Sequence, residues 1–91
     1  MIPEDVVEML NKSNPRAVLL DRERYDSALI GIGHRDTRAV AVYSVSLLIL
    51  AICLWERVCE QDAQDWIEFD ILPITRDIHG PILLGLERIR S

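Results

Sequence analysis

The chain has 91 residues, 49% of them apolar and 27% charged, which suits one domain spanning residues 1–91 and leaves too little for two separate cores. Ten Lys and Arg stand against fifteen Asp and Glu, a formal net charge of -5; with the basic residues scattered, that balance argues against nucleic acid as a partner. Cys53 and Cys59 have no Cys or His pair at zinc spacing, so no metal, cofactor or disulfide framework is expected and a reducing, cytoplasmic setting is the natural one.

The start, Met1-Ile2-Pro3-Glu4-Asp5, has no basic-then-apolar leader of the export type. Residues 3 to 12 place Val6, Val7 and Leu10 at helical spacing behind Pro3 and two acids, a favourable first turn for a short N-terminal helix, and Asn14-Pro15 ends it. Ala17 to Asp21 reads as a short strand, Arg22-Glu23-Arg24 as a turn, and Ala28 to Gly33 as a second strand whose glycines permit a bulge. The polar run His34 to Arg38 then connects to a strand at Ala39 to Tyr43.

Ser44 is placed to cap a helix over 45–57. This helix is the anomaly of the sequence. From Leu47 to Trp55 it is apolar on every side, where a surface helix shows a stripe of about 100°. The uncharged run from 39 to 55 approaches the length of a membrane span, but Tyr43, Ser44 and Ser46 interrupt it and its first half is β-branched, so a strand running into a covered helix is expected, with no membrane partner. Residues 60 to 71 form an amphipathic helix with Ala63, Trp66 and Ile67 inward, Trp66 and Phe69 reading as core, and Glu60, Asp62, Asp65, Glu68 and Asp70 as an acidic face; Pro73 stops it. A loop over Thr75 to Gly80 and a final strand over Pro81 to Leu86 precede the basic end, Arg88 and Arg90.

Four segments occur in an order that resembles a family of small proteins common in bacteriophages and prophages: Tyr25-Asp26-Ser27-Ala28-Leu29-Ile30-Gly31, Ala41-Val42-Tyr43-Ser44, Ala63-Gln64-Asp65-Trp66-Ile67-Glu68-Phe69-Asp70, and Gly80-Pro81-Ile82. The resemblance covers roughly residues 25 to 84 and implies an α+β fold and a phage origin. In that family a Gly and then a Ser or Thr cap precede the Trp helix, whereas Arg57 and Cys59 stand there in this chain, which implies a tighter or more continuous junction. The family's Asn after Phe is Asp70. The polar positions of the family's first long helix are taken by Leu47, Leu50, Ala51 and Leu54, a change that points to a covered interface.

No motif carries chemistry. Gly31-Ile32-Gly33-His34 lacks the third glycine and the following helix of a phosphate loop, and His34-Arg35-Asp36 spells a kinase tripeptide in a chain too short for a kinase. His34 and His79, with Asp36 and Asp77, would form an acid–base or metal pair only if the hairpin met the late loop. Asp26, ahead of a strand, reads as a residue fastening a turn through its own backbone. Cys53 and Cys59 read as packing residues.

The expected architecture is a small, mainly antiparallel sheet of three or four strands with two helices packed on one face. The expected function is non-enzymatic: a protein-interaction module of a phage or mobile element, in its most concrete form a stoichiometric inhibitor of a host defence system such as CRISPR interference. Its partner-binding residues would be Asp62, Asp65 and Glu68, facing a basic groove on a host or phage protein, and Leu47, Leu50 and Leu54, pairing helix 45–57 with its counterpart in a homodimer. Two other classes remain: a ligand-binding or catalytic site built from Tyr25, Asp26, His34 and His79, and nucleic-acid binding by Arg22, Arg24, Arg35 and Arg38.

Overall fold

The computed structural model describes residues 2–88, and the side chain of Arg88 and the end at Arg90 lie outside what is described. Helix α1, Pro3–Ser13, begins with proline in its first turn and acids at Glu4 and Asp5, and turns Val6, Val7 and Leu10 inward. Helix α2, Arg22–Tyr25, runs into a 3-10 turn at Asp26–Ala28. Strands β1, Leu29–Arg35, and β2, Arg38–Ser44, form a hairpin. Helices α3, Val45–Glu56, and α4, Glu60–Trp66, follow; α4 widens into a π-turn at Ile67–Ile71 and then a 3-10 turn at Leu72–Arg76. Strand β3, Ile82–Leu84, and a 3-10 turn at Leu86–Arg88 complete the described chain.

The fold is α+β, with a three-stranded sheet in the order β1-β2-β3. Its longer pairing, β1 with β2, is antiparallel; β3 joins β2 in parallel over three residues. The register slips between Leu29 and Gly31, so Ile30 bulges out and is exposed, as the glycines allow. Side chains alternate along β2. Ala39, Ala41 and Tyr43 enter the main core with Val6, Leu10, Leu48, Ile52, Ala63 and Ile67. Val40 and Val42 are buried outside that cluster, where Val42 and Ile82 close over Gly33 so tightly that a Cβ there would lie 2.9 Å from Val42.

The helices share one side. α1 lies against β1 and β2, while α3 packs on α4, β2 and the 3-10 turn at Asp26–Ala28. At its thinnest the molecule measures 17 Å, enough for one helix layer of about 10 Å on one sheet and no second layer. That thickness decides the fate of α3.

Several expectations need correction. Ala17 to Asp21 belongs to no strand, because its amides find separate partners: Val18 N–H donates to the His79 carbonyl at 2.9 Å and Leu20 N–H to the Tyr43 hydroxyl at 3.0 Å. Arg22-Glu23-Arg24 is helical, capped by Asp21, whose carboxylate accepts the Glu23 N–H. The hairpin turn is only Asp36-Thr37, with Asp36 left-handed at φ 56°. The junction after α3 is a break, since Arg57 adopts the left-handed conformation, φ 54°, that glycine takes most cheaply. Pro73 does not end the helical path, because it sits in the first turn of a 3-10 segment where its missing N–H costs nothing. The last strand is shorter than its apolar run, ending at Leu84 before Gly85 at φ 89°.

Candidate functional site

Helix α3 is closed by the Ser44 hydroxyl, which accepts the Leu47 N–H at 3.3 Å, as its sequence implies. Its inward face is Val45, Leu48, Ile49, Ala51 and Ile52, all buried. On the opposite side Leu47, Leu50 and Leu54 are 38%, 54% and 70% exposed. At 3.6 residues per turn these three fall within about 60° of arc, so they make one stripe. No charged residue interrupts it, since the helix carries none before Glu56. The helix is therefore covered on one flank by its own chain and bare on the other.

Trp55 borders the stripe, half exposed, with the Arg24 guanidinium over its ring at 5.8 Å. The same guanidinium meets the Glu56 carboxylate at 2.6 Å. These two contacts of Arg24 hold the end of α3 to α2 and set the indole at the edge of the patch.

On α4 and the π-turn that follows it, Ala63 and Ile67 are fully buried and Asp62, Asp65 and Glu68 are exposed, without ion pairs among the described residues. Asp65 accepts a long hydrogen bond from Gln61 at 3.5 Å. Phe69 corrects the expectation of a core aromatic: it is 74% exposed. Ile67 and Ile71 take the inward places of the π-turn, which aims Phe69 outward between Glu68 and Asp70. Trp66 is half-buried and packs on the core.

The residues of the alternative sites separate. Tyr25 is buried, and that burial raises its phenol pKa. Asp26 does not fasten a backbone turn as expected: its Oδ2 takes both Nε and Nη2 of Arg22, at 3.1 and 3.0 Å, and this contact raises the Arg22 pKa. His34 is exposed on β1, and His79 Nδ1 lies 3.1 Å from Asn14 Nδ2. Among the described residues no hydrogen bond joins any two of these four, and no group of three or more His, Cys, Asp or Glu could hold a metal ion. The four arginines divide as well, Arg22 and Arg24 to their acids and Arg35 and Arg38 to a cleft at the hairpin end.

Two polar side chains escaped the sequence reading. Asn14, nearly buried, donates to the Ala39 carbonyl at 2.8 Å and accepts from Arg16 N–H, tying the end of α1 to β2. The Tyr43 hydroxyl, accepting from Leu20, tethers residues 17–21; burial pushes its phenol pKa up to about 12. A turn-type Asn-Pro and a strand-end Tyr gave no sign of these long-range roles.

No protein-family model, curated protein or solved structure matches the chain. No helix among the described residues is long and apolar enough to cross a membrane.

Proposed function

We propose that the chain is a non-enzymatic protein-interaction module that pairs with a second copy through the outer face of α3 and presents the acids of α4 to a basic groove on another protein. The observation that carries this reading is the exposed stripe Leu47, Leu50 and Leu54. An apolar stripe rimmed by polar surface marks a contact surface. Because this one is uncharged, it meets its own copy without repulsion, as a two-fold interface requires. The acids cannot serve that pairing. A second copy brings the same net charge of -5, so Asp62, Asp65 and Glu68 are left for a partner of opposite sign, where complementary charge speeds encounter and rejects wrong partners.

The resemblance to phage proteins supports placing this module in an infected host cell, with stoichiometric inhibition of a defence system such as CRISPR interference as the concrete form. A small acidic dimer that occupies a nucleic-acid channel would act by mass action alone. The test compares host-lysate proteins retained by the wild type, by Leu50→Glu, and by the triple variant Asp62→Lys, Asp65→Lys, Glu68→Lys. A partner retained by the wild type and released by salt, and lost from the triple variant while its circular dichroism is unchanged, is the expected result. Equal retention by the triple variant contradicts the role of the acids.

A further inference from the structure

A cleft of about 390 Å³ opens between the β1–β2 turn and the loop after the second 3-10 turn, lined by Arg35, Asp36, Arg38, Arg76, Asp77 and Ile78. Three arginines among its lining residues make it the exception in a chain of net charge -5. Arg35 Nη2 donates to the Pro81 carbonyl at 3.0 Å, which anchors the side chain. Its Nε is buried with no acceptor among the described residues, a costly state for a group that is always charged. Arg38 reaches Asp36 only at 3.5 Å, and that carboxylate is 87% exposed, so water screens the pair. Arg76 is exposed and makes no ion pair among the described residues. The cleft's other acid is already engaged: Asp77 Oδ1 accepts the His79 N–H at 2.8 Å and closes its own turn.

We propose that this cleft binds a compact phosphate-type oxyanion. A carboxylate is satisfied by one guanidinium fork, whereas a tetrahedral dianion has oxygens for several, which matches three arginines approaching from two separate segments. Asp36 and Asp77 line the same cleft, and their charge disfavours a chain of phosphates that runs past the arginines. None of these residues belongs to α3 or α4, so the site stands apart from the interaction module.

The experiment is an amide chemical-shift titration of the full chain at low ionic strength, with inorganic phosphate, acetate and a short single-stranded DNA as separate probes. Phosphate should give saturable shifts confined to residues 34–38 and 75–81, and the double variant Arg38→Ala, Arg76→Ala should weaken binding at least ten-fold while its dispersion elsewhere is unchanged. Arg35 is kept, because it anchors the fold through Pro81. Absence of saturation with phosphate, or equal binding by the double variant, overturns the site. Acetate matching phosphate overturns the assignment to phosphate chemistry, and DNA binding with steep salt dependence where phosphate fails to saturate overturns the compact-ligand reading.

Discussion

Tyr43 carries more of this fold than its place at a strand end suggests. Its ring is fully buried beneath the helices and its hydroxyl accepts the buried Leu20 N–H. Tyr43→Phe should cost about 1–3 kcal/mol, the penalty for stranding a buried donor, read as a lowered denaturant midpoint at unchanged slope. Burial, the largest cause, raises this phenol from its ordinary 10 to about 12. The sign follows: the folded chain holds the proton longer than the unfolded chain, so this contribution is fully present below pH 10 and is lost as pH rises towards 12. A titration of phenolate absorbance alongside circular dichroism should show Tyr43 ionising only well above 10 or together with unfolding. Ionisation near 10 in a chain that keeps its folded spectrum would contradict the buried, hydrogen-bonded hydroxyl. The sequence marked Tyr43 as a strand residue and no more, because the donor it meets lies twenty-three positions away on a segment without periodicity.

At the scale of elements, the sequence was most legible where a local signal has one outcome. Pro3 with two acids starts α1, Ser44 caps α3, and Gly31 accommodates the bulge. It misled where tertiary contacts choose between extended partners or where a helix shifts its winding. Residues 17–21 have the composition of a strand, yet Tyr43 and His79 capture their amides. Phe69 reads as core at ordinary helical pitch and turns outward in the π-turn. The α3–α4 junction carries two local costs that the structure makes visible. Arg57 bears the steric cost of a left-handed residue, about 1–2 kcal/mol, and Cys59 stands at the N-cap of α4 without a side-chain hydrogen bond. Relieving both, Arg57→Gly and Cys59→Ser should together raise stability by about 1–2 kcal/mol. A loss on thermal or denaturant unfolding would show that the junction needs its present residues.

For the whole molecule, the uninterrupted apolar run of α3 was visible in sequence as a helix requiring cover, and the two-layer fold explains why the chain cannot supply all of it. With one helix layer on one small sheet, the flank of α3 facing away from Ile52 has no further layer to meet. The arginine cleft was illegible for the opposite reason. Arg35 and Arg38 stand on the hairpin and Arg76 at the end of a late 3-10 turn, and long-range contacts, the parallel docking of β3 beside β2 among them, bring the two segments together.

Sedimentation equilibrium over a range of concentrations, for the wild type and Leu50→Glu, tests self-pairing through α3 most directly. Pairing predicts twice the chain mass for the wild type at micromolar concentration, and a dissociation constant raised at least ~30-fold in the variant, equivalent to about 2 kcal/mol for a central apolar anchor. Because Leu50 is 54% exposed in the single chain, the variant's fold should be unaffected. A wild type that sediments as one chain throughout, or a variant that associates as strongly, would contradict it.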